Sequence, residues 1–279
     1  MSDVTDAPPR AATAKNKCSS AHGSHIWYEL MTPDPVAAKA FYETIVPGWS
    51  IGERNPGEID YRMIGRSDGG NAGGVLRMDD AMREQGAKPL WLGYICVDDI
   101  DATLALLQSK GGQAHMPATD IDGVGRIAMV ADPQGNAFYV MTPKPPEGGD
   151  KSVSDVFSRD AEQRVGWNEL STSDPAAARA FYGDLFGWSS DEFMDMGEYG
   201  EYRFFNHGST MIGAVSGIAP GDSQGWRYYI RVPSISESVK AVKAGGGTVN
   251  TGPMEVPGGD HIIVGHDPQS AEFALVGRL

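Results

Sequence analysis

Hydrophobic residues recur at helical spacing after an Asp-Pro pair in each half of the chain. The pairs are Asp34-Pro35 and Asp174-Pro175, and each supplies an N-cap followed by proline at the first helical position. The apolar residues that follow predict one buried stripe on a helix. They are Val36, Ala40, Phe41 and Ile45 in the first helix, and Ala177, Phe181 and Leu185 in the second. We expect the helices to end near Gly48 and Gly187.

Short apolar runs bounded by Gly, Asp and Pro predict β-strands in the rest of each half. A second helix is predicted at residues 100–110, closed by Gly111, and its counterpart opens at Ser234 with Glu237 at capping-box spacing. The strands are predicted at residues 92–97, 126–131, 137–141, 227–232, 261–264 and 272–276. The order strand, helix and three strands therefore occurs four times, as four βαβββ modules of the α+β class.

The two halves of the chain are copies of one another. The sequence WYELMTPDP at residues 27–35 recurs as WNELSTSDP at 167–175, and both copies continue to AFY and then to GW. A repeat of this kind indicates tandem domains. We expect a disordered tail at residues 1–21, a first domain at 22–143, an exposed linker at 144–164 and a second domain at 165–279.

Composition and charge exclude several partners. Apolar residues make up 41% of the chain and charged residues 22%, as in a globular protein. The 23 basic and 37 acidic residues give a formal net charge of -14, so we expect neither nucleic acid nor a membrane as partner. Cys18 and Cys96 belong to no Cys/His cluster that would hold zinc. A reduced, cytoplasmic protein, either a monomer or a homodimer, is the expectation.

The repeated motifs resemble those of the glyoxalase, bleomycin-resistance and extradiol-dioxygenase superfamily, also called the vicinal-oxygen-chelate superfamily. The similarity covers about residues 25–143 and 165–277. Its most specific marks are DPxAAxAFY followed by GW, and DPQGN at 132–136. The resemblance implies paired βαβββ modules that curl into tandem half-open barrels, each around one cavity. The two concatenated copies are also similar to a bacterial group of tandem, hydroxylase-like proteins.

Enzymes of that superfamily bind a divalent metal in the barrel through His, Gln or Glu. Here the matching positions hold indole, phenol, guanidinium or aliphatic groups, which do not ligate such an ion. These positions are Trp27, Leu92, Tyr139 and a residue within 72–74 in the first copy, and Trp167, Arg227, Ala274 and a residue within 212–214 in the second. We therefore predict no metal site and no cofactor.

Glu29 and Glu169 are the candidate catalytic residues. Because side chains alternate along a strand, each shares a face with Trp27 or Trp167, where the superfamily places its cavity. A buried carboxylate in such a place serves as a general base or as an acceptor for a substrate. Alternatively, both carboxylates stabilise the fold by accepting hydrogen bonds from the backbone or from arginines such as Arg126 and Arg203. Both interpretations stay open at this point.

Six residues are candidate ligand-binding residues. Four stand at the superfamily's ligand positions, one arginine follows a glycine-containing turn and is a candidate anion contact, and one histidine is a candidate acid–base residue. They are Trp27, Tyr139, Trp167 and Arg227, then Arg126, and then His261. Packing in the core is the alternative role for the aromatic residues.

Three functions are compatible with these features. The first hypothesis is a protein that binds a small aromatic or amphipathic molecule in its barrel cavities without a metal. The second is an enzyme, either a metal-dependent lyase or dioxygenase or a cofactor-independent, hydroxylase-like enzyme that uses Glu29 or Glu169 as base. The third is a structural or interaction protein whose cavities are filled by side chains.

Overall fold

The computed structural model of the protein describes residues 20–144 and 153–279. The N-terminal domain contains β1 (His25–Thr32), α1 (Pro35–Ile45), β2 (Ser50–Ile51), β3 (Tyr61–Gly65), β4 (Asn71–Arg77), α2 (Asp80–Glu84), β5 (Leu90–Cys96), α3 (Ile100–Ser109), β6 (Gln113–Ile121), β7 (Gly125–Ala131) and β8 (Ala137–Pro143). The C-terminal domain contains β9 (Val165–Ser171), α4 (Pro175–Phe186), β10 (Phe193–Asp195), a 3-10 turn (Gly197–Tyr199), β11 (Glu201–His207), β12 (Thr210–Ser216), β13 (Gly225–Val232), α5 (Ile235–Ala244), β14 (Thr248–Glu255), β15 (His261–His266) and β16 (Glu272–Gly277). The four βαβββ modules are thereby confirmed, with α2 and the 3-10 turn as additions.

The first helix of each domain begins where the Asp-Pro pairs predict. The side chain of Asp34 accepts hydrogen bonds from the backbone N–H groups of Val36 and Ala37, and that of Asp174 accepts one from Ala177. Both aspartates therefore satisfy donors that the first helical turn leaves free. α4 ends at Gly187, whose φ of 70° lies in the left-handed region that glycine adopts without strain.

Each domain forms one open, mixed, eight-stranded sheet. The strand order is β2-β3-β4-β1-β5-β8-β7-β6 in the N-terminal domain and β10-β11-β12-β9-β13-β16-β15-β14 in the C-terminal domain. The two modules of a domain meet where β1 pairs antiparallel with β5, and where β9 pairs antiparallel with β13. Neither sheet closes into a full barrel, in agreement with the half-open barrels expected from the sequence.

The helices α1, α3, α4 and α5 lie between the two sheets, and α1 contacts α5 while α3 contacts α4. One core cluster joins Phe41 and Ile45 of α1 to Val242 of α5 and Phe273 of β16. The approach is close, because a Cβ atom at Gly247 would lie 2.8 Å from the ring of Phe41. A second cluster joins α3 and α4 in the same way. Each sheet therefore turns its other face away from this shared core.

Two buried tyrosines link the domains by hydrogen bonds. The hydroxyl of Tyr42 donates to Oδ2 of Asp267 (3.0 Å) and accepts from Nε1 of Trp91 (3.1 Å). In the matching place, Tyr182 donates to Oδ2 of Asp132 (3.1 Å) and accepts from Trp226 (3.0 Å). The repeated Asp-Pro-Gln segments therefore provide acceptors for the helix of the opposite domain.

Two other contacts between the domains each join residues of different size. Tyr28 donates to Oδ1 of Asn168 (2.8 Å), although these two residues occupy the same place in the repeat. The hydroxyl of Tyr228 accepts from the backbone N–H of Gly93 (2.8 Å), and a Cβ atom at Gly93 would lie 2.9 Å from that hydroxyl. In each pair, a large side chain of one domain therefore meets a smaller residue of the other.

The expected tail and linker lie only in part within the described residues, which leave out 1–19 and 145–152. The described part of the linker, 153–164, packs against the protein: Val156 is buried in the shared core. Nη2 of Arg66 contacts Oδ2 of Asp155 at 2.6 Å. Cys96 is disulfide-bonded, so the expectation of reduced cysteines was wrong. None of the helices in the two described ranges has the length and apolarity that crossing a lipid bilayer requires.

The tyrosine links predict an unequal loss of stability on removal of either hydroxyl. Tyr42→Phe leaves Nε1 of Trp91 and Oδ2 of Asp267 without their partner, and is expected to lower the free energy of unfolding by about 2 to 4 kcal/mol. Tyr182→Phe should cost less, because Oδ2 of Asp132 also accepts from Asn136 at 2.7 Å. Urea denaturation measures both values, with exposed Tyr199→Phe as the control. Equal losses for the two variants would contradict the prediction.

Candidate ligand cavity

Strand alternation decides which side chains face away from the shared core. Trp167 and Glu169 of β9 and Arg227 and Tyr229 of β13 lie on the outward face of the C-terminal sheet. The intervening residues, such as Tyr228, belong to the helix-bearing face. The sequence analysis placed Trp167, Glu169 and Arg227 on one inward-facing side of a barrel, and the structure brings these three together.

A cavity of about 580 Å³ opens on this outward face. This volume lies within the usual range for small-molecule sites. Most of the lining is aromatic, aliphatic or methionine side chains, which offer an apolar and adaptable surface. They include Trp167, Tyr202, Phe204, Tyr199, Tyr229, Met194, Met196, Met211, Met254, Ile262 and Val264.

The polar part of the cavity is centred on Arg227, whose side chain is 7% exposed. Its nitrogens Nη1, Nη2 and Nε each donate to a different carboxylate: Glu169 at 2.9 Å, Asp222 at 3.1 Å and Glu272 at 2.9 Å. We call these four residues the Arg227 cluster. Burial lowers the pKa of Arg227, but Tyr229 and the carboxylates outweigh burial and raise it, so the guanidinium stays charged.

Glu169 is fully engaged in this cluster. Its Oε1 accepts from Arg227 and from the hydroxyl of Tyr229 (3.1 Å), and its Oε2 accepts from the hydroxyl of Tyr202 (2.6 Å). Tyr202 in turn accepts from Nε1 of Trp167 at 2.7 Å. Glu169 therefore accepts a hydrogen bond from an arginine, and that arginine is Arg227 and neither Arg126 nor Arg203.

The N-terminal domain carries the same backbone with different side chains. In the strand registers, Glu29 faces Leu92 as Glu169 faces Arg227. The positions of Asp222 and Glu272 in the repeat are held by Ala87 and Ala137. The Arg227 cluster is therefore replaced by apolar residues around one remaining carboxyl group.

Glu29 is consequently a buried carboxyl group, 2% exposed, and the described residues that surround it include no cationic partner. Its Oε2 accepts from the hydroxyl of Tyr94 at 2.8 Å, whereas its Oε1 accepts no hydrogen bond from any described residue. Burial raises the pKa of Glu29 to about 7, and the nearby hydroxyl groups of Tyr94 and Tyr61 offset only part of that effect. This group gains a proton near neutral pH.

The outward face of the N-terminal sheet is filled by its own side chains. Tyr139 is buried and stacks on Tyr94 with ring centroids 4.2 Å apart. Trp27 donates to the hydroxyl of Tyr61 at 2.7 Å. The connection between β4 and β5 adds α2, and its Met78 and Met82 pack into the same cluster. Trp27 and Tyr139 thus surround Glu29 and pack together as a core.

Two candidate ligand-binding residues lie away from the cavity. Arg126 donates to Asp101 of α3 (3.0 Å) and to Asp120 of β6 (2.8 Å), on the helix-bearing side of its sheet. His261 precedes Ile262, which lines the cavity, so its side chain starts on the opposite face of β15. The structure therefore brings neither residue together with Glu169 and Arg227.

Several residues near Glu29 or Glu169 were not identified from the sequence. Tyr61 and Tyr202 lie in strands that carry no recognisable motif, and Asp222 lies in a loop. Glu272 was assigned to a strand, but without a partner. An arginine at a cavity position is a signal for nearby carboxylates, because a buried guanidinium needs counter-charges.

The residues present do not fit the divalent metal that the resemblance implies. Within residues 20–144 and 153–279, no three His, Cys, Asp or Glu side chains gather in a metal-binding arrangement. The three carboxylates of the Arg227 cluster already surround a guanidinium, which repels a second cation. The donor set is therefore occupied by the protein's own cation.

Comparisons with known proteins agree with this architecture. The family described as Glyoxalase/Bleomycin resistance protein/Dioxygenase superfamily matches residues 25–140. CFP32 of Mycobacterium tuberculosis is 29% identical over 256 residues, covering 91% of this chain and 94% of CFP32. The anthracycline biosynthesis protein DnrV of Streptomyces peucetius is 30% identical over 274 residues, covering 92% of this chain and 94% of DnrV.

A solved structure extends the similarity to the whole fold. Homoprotocatechuate 2,3-dioxygenase of Brevibacterium fuscum, in complex with 3,4-dihydroxyphenylacetate, superposes with a TM-score of 0.63 at 15% identity, covering 95% of this chain and 84% of the dioxygenase. The likeness is one of fold, and it includes both domains. The chain belongs to the Glyoxalase/Bleomycin resistance protein/Dioxygenase superfamily.

Proposed function

We propose that the C-terminal domain binds a small aromatic or amphipathic molecule in its cavity without a metal ion. The observation that carries this proposal is the Arg227 cluster, which places a guanidinium between three carboxylates beside the cavity. A cavity that holds its own buried cation binds its ligand through apolar contact and hydrogen bonds.

The lining supports an aromatic or amphipathic ligand. Trp167, Phe204 and the four methionines Met194, Met196, Met211 and Met254 offer flat and polarisable surfaces, while Tyr202 and the Arg227 cluster supply polarity. The name of DnrV places that relative in anthracycline biosynthesis, and a small-molecule ligand for this chain is compatible with that relationship.

A second candidate function is general-base catalysis by Glu29. It is favoured by the pKa of about 7, which suits a proton acceptor at neutral pH, and by the unpartnered Oε1. The filled outward face of the N-terminal sheet weighs against it, because Tyr94 and Tyr139 occupy the space beside the carboxyl group. Glu169 is less suited to this role, since both of its oxygens already accept hydrogen bonds.

Binding of an uncharged aromatic dye tests the proposed function. Nile red should bind saturably with one site per chain and with the same affinity before and after treatment with EDTA. Ala274→Tyr should weaken binding by about tenfold or more, because it adds a phenol beside Tyr229 and Val264, which line the cavity. The repeat shows that this backbone accepts tyrosine there, since Tyr139 occupies the matching position. Fluorescence titration measures the affinity.

Two substitutions away from the cavity provide controls for this prediction. Arg126→Ala and His261→Ala change candidate residues that lie away from the cavity, so the affinity should stay within about twofold of the unsubstituted protein. Metal analysis accompanies the titration. Stoichiometric Mn, Fe, Ni or Zn whose removal abolishes dye binding would refute the metal-free proposal.

The buried carboxyl group predicts a pH dependence of stability. The pKa of Glu29 rises from 4.5 to about 7 on folding, so the folded state keeps a proton that the unfolded state has lost. Glu29 contributes most to the free energy of unfolding below pH 4.5. This contribution decreases by about 3 kcal/mol as the pH rises from 4.5 through 7. Glu29→Gln removes this titration. The difference in free energy of unfolding between variant and unsubstituted protein should therefore grow in the variant's favour from pH 5 to 8.

Urea denaturation at several pH values measures this difference. Glu84→Gln makes the same chemical change at an exposed residue of α2 and should show no such trend. A Glu29→Gln protein with the same pH dependence as the unsubstituted protein would show that Glu29 is ionised throughout.

A further inference from the structure

The Arg227 cluster is not needed to build a sheet of this fold. The N-terminal domain has the same strand order with Leu92, Ala87 and Ala137 in place of Arg227, Asp222 and Glu272. Buried ion clusters carry a large desolvation cost, and apolar replacements of similar shape are often neutral or stabilising. The cluster therefore serves the cavity that it lines, and its chemistry indicates which ligands that cavity accepts.

Each nitrogen of Arg227 already donates one hydrogen bond within the protein. Arginine binds anionic ligands through pairs of N–H groups that point at a carboxylate or phosphate. In this protein each nitrogen of Arg227 donates to a carboxylate of the chain itself, at 2.9 to 3.1 Å. Three of the five guanidinium N–H groups are thereby held, one on each nitrogen, so an anionic ligand would have to share nitrogens with these carboxylates. The flat face of the guanidinium offers a stacking surface to aromatic rings.

The formal charges also disfavour an anion. Three carboxylates surround one guanidinium, so the Arg227 cluster has an excess of two negative charges. Elsewhere along the lining, Asp260 pairs with Arg231 at 2.7 Å and with the exposed Arg278 at 3.3 Å. Arg159 is exposed and lies over the ring of Trp167, 5.5 Å from its centroid. Solvent screens these two exposed arginines, so the half-buried carboxylates in direct contact with Arg227 set the local charge.

We propose that the Arg227 cluster makes the cavity selective for planar aromatic molecules that carry no negative charge. This inference rests on the proposed function, since it requires that the cavity binds a ligand. The aromatic and methionine lining holds the ring system, the guanidinium face stacks on it, and the surrounding carboxylates repel anionic substituents and accept hydrogen bonds from neutral or cationic ones.

Three dyes of different charge test the selectivity on the full-length protein: neutral Nile red, cationic proflavine and anionic 1-anilinonaphthalene-8-sulfonate. Fluorescence titrations at neutral pH and low salt give the three affinities. The sulfonate should bind about tenfold or more weakly than Nile red, and proflavine at least as tightly as Nile red. Added salt should narrow the difference between proflavine and the sulfonate.

A pair of matched variants separates the cluster from the overall charge of the chain. Asp222→Asn with Glu272→Gln removes two negative charges beside Arg227, and should raise the affinity for the sulfonate about tenfold relative to that for Nile red. Asp101→Asn with Asp120→Asn removes two negative charges around Arg126, away from the cavity. This control should leave the ratio of the two affinities unchanged.

The outcomes distinguish the inference from the proposed function. Equal affinities for all three dyes would overturn the selectivity and leave binding in the cavity intact. An equal shift in both double variants would assign the preference to the net charge of the chain and would also overturn the inference. Failure of all three dyes to bind would refute the proposed function together with the inference.

Discussion

The packing of four helices between two sheets is the constraint on which the rest of the structure depends. Each domain has one helix-bearing face, and residues such as Phe41 reach the elements of the opposite domain to complete its core. Because both helix-bearing faces are covered in this way, the remaining face of each sheet turns away from the shared core. The position of the ligand cavity follows from that arrangement.

Because the chain is internally duplicated, the same backbone fold carries two different sets of side chains on the outward faces of its sheets. In the N-terminal domain, stacked Tyr94 and Tyr139 fill the outward face around a buried carboxyl group. In the C-terminal domain, Ala274 replaces one of these rings, Arg227 replaces Leu92, and a cavity opens. A small set of substitutions at equivalent positions therefore separates a packed sheet face from one with an open cavity, while the strand order stays the same.

Much of the fold was predictable because short sequence motifs determine its elements. The Asp-Pro pairs mark the helix starts, and the repeat indicates the four modules. The site was less predictable, because its polar residues come from distant elements: Asp222 lies in a loop, Glu272 in the last strand and Tyr202 in a hairpin. Arg126 and His261 show a different limit. A shift of one residue along a strand moves a side chain to the opposite face of the sheet, and no sequence motif indicates which face these two residues occupy.

The contacts between residues of different size determine whether one half of the chain can pack against a copy of itself. Tyr28 fits against Asn168, and Tyr228 fits over Gly93. A symmetric pair of N-terminal halves would bring two phenols together at one contact and two glycines at the other, and a pair of C-terminal halves would crowd two copies of Tyr228. The halves are thus complementary rather than interchangeable. Fusion of two ancestral copies into one polypeptide would have permitted this divergence, because covalent linkage guarantees that unlike partners always meet.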